Sequence, residues 1–204
     1  KDATEQPHWR RPSTDQLVEF CEQKGIRAHG HVLVWGSRLI RPLWYFELFN
    51  KEELAAHKRL FPNEPNRLQS KDVQSDEWKA MSFEEVAQTF PNYAKTMPLV
   101  MENRIKRIAE HYKGRLQSWD VVNESARDDD QGFVIEEHAV SKSRYGLLYG
   151  DYPYHALKCA EKYFPAEVKL NINDYHRKPG YTTQVNRLLE RGCKIDIMGI
   201  QMHL

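Results

Sequence analysis

Short apolar runs alternate with longer stretches of helical periodicity along this chain, and the alternation predicts its strands and helices. β-Branched and other apolar residues are dense in the predicted strands, at 26–35, 119–124, 168–174 and 195–203. Apolar residues at helical spacing lie between them, over 13–24, 93–112, 154–163 and 181–191. Strands separated by helices form βαβ units, so the pattern predicts an α/β fold with a parallel sheet.

Polar residues follow the apolar centre of each predicted strand. They lie at 35–37, 123–124, 173–175 and 201–203. In a barrel of parallel strands, side chains at the carboxyl ends of the strands form the active site. The pattern therefore favours part of a (β/α)8 barrel with its site at this rim. A doubly wound open sheet is the competing architecture, but no glycine-rich phosphate loop supports it.

The stretch 37–90 is less regular and is rich in Pro, Asn and charged residues. It exceeds the length of a plain connection, which favours an elaborated loop within one domain over residues 1–204. Short helices are predicted within it, near 51–60 and after Ser82. A second polar loop carries three aspartates at 128–130, and we expect it to be solvated, since no ligand spacing supports a calcium site.

Composition excludes several classes of protein. The 204 residues are 40% hydrophobic and 29% charged, with a formal net charge of +1, which is typical of a globular protein. This balance argues against nucleic acid or a membrane surface as the partner, and no apolar run is long enough to span a bilayer. Cys21, Cys159 and Cys193 show neither metal-ligand spacing nor a disulfide framework, so we expect small buried hydrophobes. No signal peptide is visible.

Four motifs occur in the order typical of one family. They are GHVLVW at 30–35, WDVVNE at 119–124, LNINDY at 170–175 and GIQMH at 199–203. Together they resemble the third to sixth strands of glycoside hydrolase family 10, the endo-β-1,4-xylanases. The resemblance implies part of a (β/α)8 barrel that hydrolyses xylan or xylo-oligosaccharides with retention of anomeric configuration. It also implies no cofactor, no metal, and a secreted or periplasmic location.

The same resemblance implies roles for the residues that end the second predicted strand. Glu124 is implied to be the general acid/base, and Asn123 to hold the sugar 2-hydroxyl beside the bond being broken. The chemistry agrees, because an oxocarbenium-like transition state needs an acid near the glycosidic oxygen and a carboxylate near the anomeric carbon. Hydrogen bonds to the 2-hydroxyl strengthen in that state.

The remaining rim residues take substrate-binding roles by resemblance. His31 and Trp35 are implied to line the subsite of the attacked sugar, where Trp35 offers a flat apolar face to the ring. Gln201 and His203 are implied to contact the catalytic nucleophile, and His203 to orient it. Tyr175 is implied to bound the neighbouring leaving-group subsite. The nucleophile itself is expected beyond residue 204.

The chain also departs from the family pattern. The family usually has His after the Trp of its third strand and Gln shortly beyond, where this chain has Gly36 and Arg38. Pro42 and Trp44 resemble the Pro-x-Trp that follows, displaced by two residues. The family's first two strands and its seventh are not found. We therefore expect the rest of the same barrel as a partner, and expect residues 1–204 alone to fold poorly and to be inactive.

Alternative functions remain open at the level of sequence. A metal-dependent barrel hydrolase would use His29, His31 and His203 as ligands. We place His29 deep in its strand, away from the rim, which argues against that function. A carbohydrate-binding barrel that has lost catalysis is a second alternative. Related retaining β-glycanases that act on cellulose, mannan or β-galactosides are the nearest alternative in substrate.

Overall fold

The structure is a computed structural model that describes residues 13–36, 43–62, 74–132, 134, 139–143, 146–176 and 179–202. Its helices are α1 (Ser13–Gln23), α2 (Lys51–Leu60), α3 (Asp76–Ala80), α4 (Phe83–Thr89), α5 (Pro91–His111), α6 (Ala126–Asp130), α7 (Tyr152–Tyr163) and α8 (Pro179–Glu190). Its strands are β1 (Gly30–Trp35), β2 (Ser118–Asn123), β3 (Val140–Ser143), β4 (Gly146–Tyr149), β5 (Lys169–Asp174) and β6 (Ile197–Ile200). A 3-10 helix over Leu43–Leu48 precedes α2.

The described residues contain a four-stranded parallel sheet in the order β1-β2-β5-β6. The strands lie side by side in chain order, and Trp119 of β2 is opposite both Gly30 of β1 and Leu170 of β5. Helix α5 precedes β2, α7 precedes β5 and α8 precedes β6. Consecutive parallel strands joined by helices are the repeating unit of a (β/α)8 barrel, as the sequence pattern predicts.

One face of the sheet packs against α5, α7 and α8, and we call this cluster the sheet core. It includes buried apolar residues of the strands and helices, among them Ile105, Ile108, Val121, Val122, Leu157, Ala160, Leu170, Ile172 and Leu188. Glycine is required at position 30, because a Cβ there would lie 2.2 Å from the Trp119 ring. The absence of a side chain at Gly30 therefore lets β1 and the indole pack together.

A second core is formed by the region between β1 and β2, including the predicted elaborated loop at 37–90, together with the β3-β4 hairpin. Its buried apolar residues are Tyr45, Leu48, Phe49, Ala56, Leu60, Phe61, Trp78, Val86, Phe90, Tyr93, Val100, Val140 and Leu147. Glu53 is 2% exposed and accepts hydrogen bonds from the backbone N–H groups of Asn50 (3.0 Å) and Asn92 (2.5 Å). The same carboxylate thus caps the first turns of α2 and α5.

The structure confirms most predicted elements and changes several of their ends. The helices predicted near 51–60 and after Ser82 are α2 and α4, and each has a capping box at its N-terminus. Strands β1 and β6 are shorter than predicted, because residues 26–29, 195–196 and 201–202 lie outside the two strands. The antiparallel hairpin of β3 and β4 and the short helix α3 were not predicted.

Both edges of the four-stranded sheet are open within the described ranges, since β1 pairs there only with β2 and β6 only with β5. Ile197, Met198 and Ile200 of β6 are 46%, 37% and 54% exposed. An apolar edge strand of this kind needs a cover if it is not to pair with other chains.

The three cysteines are buried to different extents. Cys193 is buried, as predicted, whereas Cys21 and Cys159 are only partly buried. Burial raises the pKa of the Cys159 and Cys193 thiols to about 11, so both thiols are protonated at neutral pH. No helix among the described residues is both long enough and apolar enough to cross a membrane.

Candidate active site

The carboxyl ends of β1, β2 and the chain just after β6 bring four predicted site residues together. The Trp35 indole Nε1 donates to Glu124 Oε2 at 3.2 Å. The Gln201 side-chain Nε2 lies 3.4 Å from Glu124 Oε1 and 2.8 Å from Asn123 Oδ1. Glu124 is half-buried, and donors from β1 and from the residue after β6 approach its two carboxyl oxygens. A carboxyl group held in this way has a fixed direction, which proton transfer to a substrate requires.

Glu124 has a left-handed backbone, with φ of 58°. For a non-glycine residue this region costs on the order of 1–2 kcal/mol, so the surroundings must hold it. The Glu124 N–H donates to the Asn173 carbonyl at 2.9 Å, which ties the residue to the end of β5. The turn thereby directs the Glu124 side chain toward Trp35 and Gln201 instead of continuing the strand.

Asn123 is 2% exposed, and its side-chain oxygen also accepts from Asn173 Nδ2 at 3.3 Å. Asn173 was not among the predicted site residues, although its strand-end position could have indicated it. A Cβ at position 199 would lie 2.8 Å from Asn173 Oδ1. Glycine at 199 therefore leaves room for the amide on the neighbouring strand.

His31 contacts a different partner from the other predicted rim residues. Its Nδ1 lies 2.8 Å from Asp120 Oδ2, and His29 Nε2 lies 3.2 Å from Asp120 Oδ1. His29 is exposed and precedes β1, so its predicted position deep in the strand is wrong. The reason is that regular β1 pairing begins only at Gly30.

Asp120 is 6% exposed and lies three residues before Asn123 on the same strand. Side chains three apart on a regular strand point to opposite faces. The pairing of β2 with β5 shifts register between Asp120 and Val122. The Asp120 side chain contacts His31, and the Asn123 side chain contacts Gln201. Burial acts to raise the pKa of Asp120, but the hydrogen bonds from His29 and His31 outweigh it and hold that pKa below its usual value.

Asp120→Asn is expected to lower the free energy of unfolding at pH 7 by roughly 1 kcal/mol. This is below the range of about 1.5–3 kcal/mol for hydrogen bonds to a charged group, because the histidine side chains are 39% and 46% exposed and solvent screens the interaction. A lowered folded-state pKa stabilises above the unfolded-state value of about 4, and this contribution is lost as pH falls through the folded-state pKa. Urea unfolding at pH 7 and pH 3 measures it; an equal difference at both pH values would contradict the ionic role.

Tyr175 lines a cleft of about 360 Å³ together with Arg127, Asp130, Gln131 and His176. The cleft lies between the residues that follow β2 and those that follow β5, on the same rim as Glu124. His203, the last predicted site residue, lies outside the described residues, as do Arg38 and Pro42. Among the residues that the structure does describe, no group of three or more His, Cys, Asp or Glu side chains is arranged to hold a metal ion.

The three aspartates at 128–130 belong to helix α6, and the expectation of a solvated loop is wrong for Asp128. Asp128 is 1% exposed, and its Oδ2 accepts from the hydroxyls of Ser143 (2.7 Å) and Tyr152 (3.3 Å). Asp129 pairs with Arg187 of α8. The aspartates therefore attach the segment after Glu124 to the hairpin, α7 and α8.

Similarity to known proteins identifies the family of this chain. The sequence model of glycosyl hydrolase family 10 matches residues 2–64 and 65–204. The chain belongs to glycosyl hydrolase family 10. One similar protein is endo-1,4-beta-xylanase A of Halalkalibacterium halodurans. It is 29% identical to this chain over 201 residues, which cover 96% of this chain and 42% of the relative. Endo-1,4-beta-xylanase 2 of Aureobasidium pullulans is 34% identical over 116 residues, or 54% of this chain and 30% of the relative.

Solved structures of family 10 proteins show the same fold. Xylanase B from Clostridium stercorarium F9 superposes with a TM-score of 0.60 at 22% identity, covering 97% of this chain and 51% of that one. Xylanase 10B from Thermotoga maritima gives 0.56 at 24% identity, covering 100% of this chain and 49% of that one. The chain thus spans about half the length of the family 10 proteins it matches, and it forms part of a (β/α)8 barrel.

Proposed function

We propose that this chain forms the acid/base half of a retaining endo-β-1,4-xylanase, with Glu124 as the general acid and then the general base. The observation that carries the proposal is the half-buried Glu124 carboxyl, held by Trp35 and Gln201 at the carboxyl ends of parallel strands. Membership of family 10 and the printed names of the relatives support xylan, or xylo-oligosaccharides, as the substrate.

The proposed mechanism assigns each step to a group. Glu124 protonates the glycosidic oxygen as the bond to the leaving sugar breaks, and a second carboxylate attacks the anomeric carbon. We expect that nucleophile beyond residue 204. Water then hydrolyses the glycosyl-enzyme, with Glu124 accepting the proton of the water. Asn123, fixed by Asn173 and Gln201, is proposed to hold the 2-hydroxyl of the attacked sugar.

The other predicted residues bind substrate in this proposal. Trp35 presents a partly exposed ring on the side of the attacked sugar while its N–H is bonded to Glu124. His31 lies on the same strand, and its Nδ1 is hydrogen-bonded to Asp120. We propose that it contacts the sugar while it keeps this hydrogen bond. Tyr175 and its cleft are proposed to receive the leaving sugars, because they follow β5 beside the acid.

The reaction is tested by following hydrolysis of xylohexaose with proton NMR in the full-length protein. We expect internal cleavage and a β-anomeric product at early times, before mutarotation. An α-anomeric product would exclude the retaining mechanism. A panel of xylan, cellulose, mannan and β-galactan distinguishes the xylanase from related β-glycanases. Absence of hydrolysis together with measurable xylan binding would favour the carbohydrate-binding barrel.

His203→Asn is expected to lower the rate of glycosyl-enzyme formation by roughly ten- to a hundred-fold, since a misplaced nucleophile reacts slowly. Exhaustive chelation is expected to leave the activity of the unmodified protein unchanged. Pre-steady-state kinetics with an activated aryl xylobioside measures the first effect, and a xylan assay measures the second. Loss of activity on chelation that added zinc restores would instead favour the metal-dependent alternative, with His29, His31 and His203 as ligands.

Further parts of the same barrel are proposed as the structural partner of this chain. The chain covers 42% of the Halalkalibacterium relative, and the apolar edge of β6 is exposed. We propose that additional strands cover both sheet edges and supply the nucleophile. Residues 1–204 alone are therefore expected to be inactive on xylan.

Because the polymer is too large to enter a cell, we also propose that the protein acts outside the cytoplasm.

A further inference from the structure

The residues directly after Glu124 are held by side chains from β5 and α8. The Ser125 hydroxyl donates to Gln184 Oε1 at 3.0 Å, and the Ala126 N–H donates to Asp174 Oδ2 at 2.9 Å. Ser125, Asp174 and Gln184 are 0%, 2% and 0% exposed. The turn that carries Glu124 is therefore fixed on its downstream side by buried polar groups.

Helix α8 does not need Gln184 in order to dock against α6. Arg187 of the same helix pairs with Asp129. Gly180 lies so close to Asp130 that a Cβ there would be 2.7 Å from its carboxylate oxygen. These contacts lie on either side of Gln184 along the helix and already join the two elements.

Stability alone does not explain a glutamine at this position. Its Nε2 is buried and has no hydrogen-bond partner among the described residues. A buried donor without a partner destabilises the fold, whereas apolar residues at both 125 and 184 would avoid that cost without leaving the Ser125 hydroxyl unpaired. A polar side chain that is unfavourable for stability is expected where it serves another purpose.

We propose that Gln184 is a positioning residue for catalysis: through Ser125 it fixes the turn that aims the Glu124 carboxyl at the glycosidic oxygen. The inference rests on the proposed acid/base role of Glu124. The left-handed backbone of Glu124 makes the turn sensitive, because a released turn can relax toward commoner backbone angles and swing the side chain away. Displacement of about 1 Å at a reacting group can lower a rate a hundred-fold.

Gln184→Leu in the full-length protein tests the proposal, with Asn186→Leu as the matched control. Asn186 lies on the exposed side of α8, so the comparable replacement of an amide side chain by leucine there should not change kcat/KM on either substrate. For Gln184→Leu we expect kcat/KM on xylotetraose to fall roughly ten- to a hundred-fold. On dinitrophenyl β-xylobioside, whose leaving group needs no proton, it should stay within about twofold. The change in the free energy of unfolding is expected to be small, because the variant removes the unpaired Nε2 of Gln184 but also removes the acceptor of the buried Ser125 hydroxyl.

Ser125→Ala removes the same hydrogen bond from the other side and is the second variant if Gln184→Leu does not fold. The double variant should lose no more activity than the stronger single one, because both act through one bond. An equal loss on both substrates, or no loss, would overturn the positioning role. Glu124→Ala separates the two proposals: if it shows no dependence on the leaving group, the acid role itself fails.

Discussion

Glu124→Ala is expected to lower kcat/KM on xylan by roughly a hundred- to ten-thousand-fold, the usual contribution of a positioned general acid. The loss on an activated aryl xylobioside should be much smaller, because its leaving group departs without a proton. The ratio kcat/KM is the quantity to compare, since it reports the first step, whereas Glu124 also serves as the base in the second. Steady-state kinetics on both substrates measures the difference.

The matched control for this experiment is Glu190→Ala, at the exposed end of α8. It removes a carboxylate of the same kind from the surface and should change neither value. An equal loss on the two substrates in Glu124→Ala would contradict the acid role, because it would show general damage to the site. Unchanged activity on xylan would contradict any catalytic role for this residue.

Gly30→Ala is expected to destabilise the protein by about 3 kcal/mol or more, the upper end of the range for overpacking. The new Cβ would lie 2.2 Å from the Trp119 ring, and neither β1 nor the indole can move freely. Trp119 packs in the sheet core between Tyr112 and Phe164. Moving the ring would therefore disturb α5 and the end of α7 together.

Gly192→Ala provides the comparison for Gly30→Ala, because an added Cβ there meets nothing within 4 Å. Its φ of 74° makes alanine unfavourable by about 1–2 kcal/mol through backbone strain alone. Thermal or urea unfolding of the two variants separates the steric clash from that strain. A loss in Gly30→Ala no larger than that in Gly192→Ala would contradict the predicted size of the clash, and no loss at all would show that the Gly30 contact relaxes without cost.

Much of the sheet could be predicted because its strands are strongly apolar and separated by long helices. The run ending at Asn123 is almost wholly buried, and such runs are visible in sequence. The β3-β4 hairpin was missed because each strand has only four residues, and the charged Lys142 interrupts the first. Lys142 donates to the Met81 carbonyl at 2.6 Å, a contact between distant parts of the chain that no local pattern indicates.

Some contacts of the candidate site could also be predicted from the sequence, whereas others could not. Trp35, Asn123 and Gln201 could be predicted to meet, because the carboxyl ends of parallel strands lie at one rim. The Asp120 contact with His31 was missed, since it depends on the register between β1 and β2, which places the two residues opposite each other and cannot be taken from the sequence. Asp128 was expected in solvent because charged runs usually are exposed. Its burial depends on hydroxyls 15 and 24 residues further along the chain.

Helix α5 belongs to both cores of the structure. Its Val100 packs in the second core, whereas Met101 and Ile105 pack in the sheet core. The two clusters therefore meet near the middle of a single helix. For the construction of chimeras, this makes the middle of α5 a natural junction. A donor segment that ends there would bring most of its own second core with it, apart from Val140 and Leu147 of the hairpin, while the turn that carries Glu124 would keep its original supports.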